Sequence, residues 1–118
     1  MDVTPARNDL LLRLLAATEL RSRVVSGNLA NLNTPGYKRQ EVRFEDLLRT
    51  ALRRGTDPGQ VEARIELDLE SPARPDGNNV SLELEMNSLR ENRLLYETYA
   101  AILEGRMNLQ RIAVTEGR

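Results

Sequence analysis

The sequence predicts a mainly α protein. Two long terminal helices form an antiparallel coiled-coil hairpin, and a short irregular middle holds a small helix and one or two β-strands. Three observations point there. Apolar residues recur at helical spacing through residues 5–31 and again through 81–114. Between these stretches the pattern changes to strict alternation over 61–70. Only 3% of the 118 residues are aromatic, so burial falls to Leu, Val, Ile and Ala, a composition that suits helices packed side by side.

Three zones follow, 1–36, 37–79 and 80–118. The first helix starts near Thr4-Pro5, with Pro tolerated in the first turn, or slightly later at an Asn8 or Asp9 cap. Leu10, Leu11, Leu14, Leu15, Ala17, Val24, Val25, Leu29 and Leu32 make one broad apolar face. Arg21 and Asn28 fall inside that face. Either the helix edge tolerates them or they contact a neighbouring chain. Gly27 weakens the helix by ~1 kcal/mol relative to Ala, through close helix approach or plain tolerance. The helix stops at Asn33-Thr34-Pro35-Gly36, because the residue before a proline is pushed out of the α region. Pro35 and Gly36 suit the two central positions of a type II turn, and Asn31 and Asn33 can bond the freed backbone.

In the middle zone, residues 44–54 read as an amphipathic helix ended by Gly55, and 56–59 as a turn. The alternating run 61–70 is a half-buried strand that needs a partner. The nearest candidate is 37–44, and another subunit is the alternative. Residues 71–79 read as loop.

The last zone is a helix over about 81–114, capped by Ser81, with Glu83 and Glu85 beside its N-terminal dipole. Leu82, Met86, Leu89, Arg93, Tyr96, Ala100, Leu103, Met107, Gln110 and Val114 form a heptad-like row. Leu95, Tyr99, Ile102, Leu109 and Ala113 form a second stripe. At 1.5 Å per residue the helix is roughly 50 Å long, longer than the ~35 Å diameter of a compact domain of this size. Two helices cannot bury stripes that face more than one direction. Other chains must therefore meet the second stripe, unless the middle segment folds over it.

Chemistry is narrowly bounded. The net charge is −1, which gives no field toward nucleic acid or anionic lipid. Cysteine and histidine are absent, which removes disulfides, thiolate and imidazole metal ligands, and Cys or His catalysis. The 18 carboxylates read as solvated faces of helices and the polar side of the strand. Asp76-Gly77-Asn78-Asn79 lacks the acidic spacing of a calcium loop. No phosphate-binding loop or dinucleotide fingerprint occurs. The basic patches at Lys38-Arg39 and 49–54 are too short for a nucleic-acid stripe. No catalytic, cofactor or metal site is expected, and no nucleic-acid or small-molecule partner. No apolar run reaches the ~20 residues of a membrane span. A basic n-region and a small-residue cleavage site are missing, so a cleaved signal peptide is not expected.

The segment Asn28-Leu29-Ala30-Asn31-Leu32-Asn33-Thr34-Pro35-Gly36-Tyr37 resembles the N-terminal signature of bacterial flagellar rod, hook and hook-associated proteins. The stretch Asp76-Gly77-Asn78-Asn79-Val80-Ser81, with Asn92, Tyr96 and Leu103-Glu104-Gly105-Arg106, is similar to the start and course of the C-terminal helix in proximal rod proteins. The short middle fits that subgroup rather than relatives with large inserted domains.

The resemblance implies a structural subunit of the proximal rod, not an enzyme. Such a subunit polymerises into the tubular drive shaft that transmits torque and lines the export channel. The implied partners are copies of itself, other rod proteins, a membrane-ring or export-gate adaptor at the rod base, and the flagellar type III export apparatus. The implied location is the basal body, in the periplasmic space. A sister proximal rod protein and a helical export adaptor are the alternatives. Under this resemblance Asn28, Ala30, Asn31, Asn33, Thr34, Pro35, Gly36 and Tyr37 form an assembly motif that sets how the first helix joins the middle. Leu10, Leu14, Ala17 and Val24 would pack on Leu89, Tyr96, Leu103 and Met107, while Leu95, Tyr99, Ile102 and Leu109 would face neighbouring subunits.

Overall fold

A computed structural model describes the backbone of residues 5–117 and the side chains of residues 8–117. Thr4 lies outside the described residues. Helix α1 spans Pro5–Ala30, strand β1 Gln40–Arg43, helix α2 Glu45–Arg54, strand β2 Arg64–Leu67 and helix α3 Leu82–Glu116, with a 3-10 turn at Pro58–Gln60. Helices α1 and α3 lie antiparallel: Asn8 meets Arg106 and Gln110, Thr18 and Ser22 meet Asn92, and Asn28 meets Glu85. The chain is elongated, 67 × 29 × 14 Å, with a radius of gyration of 18.1 Å. A compact chain of this length would have about 13–14 Å. Among the described residues no helix is long and apolar enough to cross a membrane.

Local chemistry sets the element ends. The Thr34 carbonyl accepts from the Tyr37 N–H at 3.2 Å, with Gly36 at φ +74°, as a Pro-Gly turn of type II requires. Ser81 caps α3 by accepting from the Leu84 N–H. Helix α2 opens on Glu45 and Asp46 and closes on Arg53 and Arg54, each sign matching its end of the helix dipole, and Gly55 caps it in the left-handed conformation.

Strand β2 finds its partner within the chain. It pairs antiparallel with β1, Gln40 opposite Leu67 and Arg43 opposite Arg64. The orientation of this hairpin corrects the expectation of a half-buried apolar face. Ile65, Leu67 and Leu69 are exposed, and Asp68 on the opposite face is buried.

The seam between the long helices is also rotated from the expected row. Glu85 and Asn92, each 1% exposed, and Arg106 are the buried residues of α3, seven and fourteen positions apart. Leu89, Leu95, Tyr99 and Leu103 are half-buried beside them, and Leu10, Leu14, Ala17 and Val24 are half-buried or buried on α1. Tyr96 at 47% and Met107 at 53% exposure lie off the centre of the seam, Tyr96 at its edge beside Glu19 and Ser22 of α1. The reason is polar. Glu85, Asn92 and Arg106 each find a partner on α1, and turning the apolar row inward would leave them without one. Ile102 and Leu109 remain exposed, as do Leu82, Leu84, Leu94, Ile112 and Val114. The buried apolar core of the described residues is only Ala17, Val24, Val25, Phe44, Ala51 and Val80.

Gly27 has open space where a Cβ would sit, so no close approach within the chain requires it. Gly27→Ala is expected to raise α1 stability by about 1 kcal/mol, read as a higher midpoint in thermal circular dichroism. A lower midpoint would contradict the open geometry.

Candidate functional site

The two motifs singled out in the sequence come together at one end of the hairpin. The joint between α1, the β-hairpin and α3 is built from polar groups. Asn28, with 0% exposure, lies at its centre. Its Nδ2 donates to the Gln40 carbonyl at 2.8 Å and to Glu85 Oε2 at 3.2 Å. Its Oδ1 accepts from the Gln40 N–H at 2.9 Å and from the Tyr37 hydroxyl at 3.1 Å. The carboxamide thus pairs with both backbone groups of Gln40 as a neighbouring strand would.

Asn79 repeats the device at the end of the hairpin. The Asp68 N–H donates directly to the Arg39 carbonyl at 2.9 Å. The Asn79 carboxamide bridges the other rung, its Oδ1 accepting from the Arg39 N–H and its Nδ2 donating to the Asp68 carbonyl, both at 2.7 Å. Asn78 binds the turn that follows α1. Its Nδ2 reaches the carbonyls of Asn31, Leu32 and Thr34 there at 2.8–3.1 Å. Arg74 also donates to the Leu32 carbonyl, and to that of Val80. Every buried side-chain nitrogen and oxygen among the described residues has a partner.

A charge cluster sits beside this amide frame. Arg39 Nε donates to Glu85 Oε1 at 2.7 Å, and its Nη1 to Asp68 Oδ2 at 2.8 Å. Asp68 also accepts from the Ser71 hydroxyl and from the N–H groups of Glu70 and Ser71. The Ser71 and Arg39 bonds hold its carboxyl well below the usual carboxylate range. Desolvation lowers the Arg39 pKa, and the hydrogen bonds it donates to Asp68 and Glu85 outweigh that and raise it. Removing Arg39 from this set costs about 3–5 kcal/mol, because the two carboxylates keep uncompensated charge. These two carboxylates correct the reading of all acidic side chains as solvated.

Two glycines complete the joint. Gly77 has φ +87°, and a Cβ on it would lie 3.3 Å from the Gly36 Cα. The Gly36 N–H donates to the Asp76 carbonyl at 2.8 Å. The two turns therefore meet backbone to backbone.

Of the sequence-predicted motif, Asn28, Asn31, Thr34, Gly36 and Tyr37 make these contacts, and Asn31 Oδ1 accepts from the Thr34 hydroxyl. Ala30, Asn33 and Pro35 are exposed. Arg21 bonds within the chain, both Glu45 oxygens accepting from its Nη2 at 2.8 Å and Asn92 Oδ1 from its Nη1. Leu95 and Tyr99 line a cleft with Arg21 and Glu45, and Tyr96 lines a groove with Glu19, Ser22 and Leu89. Sequence reasoning missed Arg39, Asp68 and Glu85. The seven-residue spacing of Glu85, Asn92 and Arg106 was the one signal that could have found Glu85.

A family model for the flagella basal body rod protein matches residues 15–38, a span that carries the α1 half of the joint. FlgB, the flagellar basal body rod protein of Borrelia hermsii, is 32% identical over 122 residues, covering 86% of this chain and 90% of the relative. The chain belongs to the FlgB family of flagellar basal body rod proteins. FlgB of Bacillus subtilis strain 168 is 27% identical, covering 88% of this chain and 89% of the relative. FlgB of Escherichia coli K12 is 28% identical, covering 74% and 77%. In this FlgB-family chain, Asn78, Asn79 and Glu85 lie beyond the span of the family model and supply the other half of the joint.

Two outcomes follow. Gly77→Ala is expected to cost more than the ~1–2 kcal/mol of left-handed backbone alone, because its methyl group also meets Gly36. Urea denaturation reads this, and a cost under about 1 kcal/mol would contradict the tight approach. For Asp68 the folded pKa is depressed, so its stabilisation is present above the unfolded value and fades as pH falls through the folded one. Asp68→Asn should therefore lower the urea midpoint at pH 7 and lower it less at about pH 3. A gap of equal size at both pH values would contradict the ion pair.

Proposed function

We propose that the chain is a structural subunit of the proximal rod of the flagellar basal body, polymerising with its own copies and other rod proteins into the tubular drive shaft. One observation carries this reading beyond family membership. The described residues bury six apolar side chains, while large apolar residues remain exposed along the whole length of α3 and on the β-hairpin. Exposed apolar area on that scale marks surfaces that meet other chains. An elongated hairpin with a rigid polar joint at one end suits a subunit that must hold a fixed shape under torque.

The finer points rest on the resemblance. The subunit is exported by the flagellar type III apparatus, contacts an adaptor of the membrane ring or export gate at the rod base, and lies in the periplasmic space. Asn28 through Tyr37 act by fixing α1 against the hairpin, so that both present one surface to adjacent subunits. Leu95 and Tyr99 serve that surface through the cleft beside α2, and Ile102 and Leu109 through direct contact.

Peptide mass spectrometry of detergent-extracted, stringently washed basal bodies tests the proposal. Retention of the chain with the other rod proteins is expected, and its absence while they remain would overturn it. Combined Pro35→Ala and Gly36→Ala should impair rod assembly more than secretion. Normal rods in that strain would contradict the role given to the turn.

A further inference from the structure

Three polar residues occupy the buried side of α3, in the row where a helix pair ordinarily places apolar side chains. Asn92 Nδ2 donates to the Thr18 carbonyl at 2.6 Å and to the Ser22 hydroxyl at 2.8 Å. Its Oδ1 accepts from Arg21. Arg106 Nε donates to Asn8 Oδ1 at 3.0 Å, and Glu85 accepts from Asn28. The joint at Asn28, Asn79 and Glu85 already pins the axial register at one end of the hairpin. Asn92 lies about 10 Å beyond Glu85 along the helix and Arg106 about 30 Å beyond it. Neither is needed to set a register already fixed.

The apolar rows on either side of this seam put the polar row in context. Tyr96, Met107 and Val114 lie to one side, and Leu84, Ile102 and Leu109 to the other, all exposed. A helix so apolar would pair through any face with another copy of itself. Two α3 helices joined in parallel register through the seam would set Arg106 against the same guanidinium on the partner, and would leave Asn92 one facing amide in place of the Thr18 carbonyl, Ser22 and Arg21. A buried amide or guanidinium without its partners is costly, and such a cost is how a helix selects one partner over another.

We propose that Asn92 and Arg106 are specificity residues that reserve the buried face of α3 for the α1 helix of its own chain. They leave only the flanking apolar rows open to other chains. The inference rests on pairing within one chain and stands apart from the rod assignment.

The test is sedimentation equilibrium of the full chain, with Asn92→Leu plus Arg106→Leu compared with wild type. Circular dichroism follows helix content, and Asn108→Leu, at an exposed polar position off the seam, is the control for added hydrophobicity. The double variant is expected to self-associate about tenfold more strongly than wild type, with the control unchanged. Equal or weaker self-association, or an equal rise in the control, overturns the proposal. If the double variant loses helix, Arg106→Met alone, which keeps a long unbranched side chain, is measured in the same way. It is expected to associate more strongly than wild type, and unchanged association overturns the proposal.

Discussion

Asn28 has no exposure to solvent and uses both amide donors and its carbonyl oxygen inside the molecule. One carboxamide joins four parts of the chain: α1 that carries it, the turn through Tyr37, strand β1 through Gln40, and α3 through Glu85. The hairpin has few alternatives to it. Its apolar face points to solvent, so hydrophobic burial does not hold it in place. Directional hydrogen bonds do, and these fix angles as well as contacts. Asn79 then bridges the end of the ladder, Asn78 binds the turn that follows α1, and Arg39 bonds both carboxylates that the arrangement draws inside.

A protein that keeps its apolar surface for other chains needs some other way to hold its own shape. Here burial inside the chain is largely polar and burial outside it is left apolar. The eight buried polar residues of the described chain outnumber the six buried apolar ones. Polar contacts are specific but weak in net terms, so the isolated subunit has a defined geometry at modest stability. Assembly can then add the hydrophobic part without reshaping the subunit.

The helices were legible because period 3.6 and period 2 are local properties. Ser81, Gly55, Pro35 and Gly36 marked their ends through neighbours in sequence. Strand pairing within 37–44 followed from proximity. The rest of the site was not legible from composition or spacing. Arg39 meets Glu85 46 residues away and Asp68 29 residues away, and nothing local distinguishes a carboxylate with such a partner from a solvated one. For the same reason alternation in β2 predicted an inward apolar face. The pattern says that two faces differ, and here a charge pair decides which one turns in. Tyr96 and Met107 fell off the centre of the seam by the same logic, because polar partners on α1 outweighed a slightly more apolar row.

Hydrogen exchange at the Gln40 and Arg39 amides, in the full chain and in Asn28→Ala, tests this account most directly. Both amides donate to asparagine side chains, Gln40 to Asn28 and Arg39 to Asn79, and slow exchange at both is expected in the native chain. In Asn28→Ala, Gln40 should exchange at the rate of an exposed loop, and Arg39 should lose protection as the hairpin comes away from α1. Fast exchange at Gln40 in the native chain, or protection unchanged by the substitution, would mean that the joint does not depend on this carboxamide.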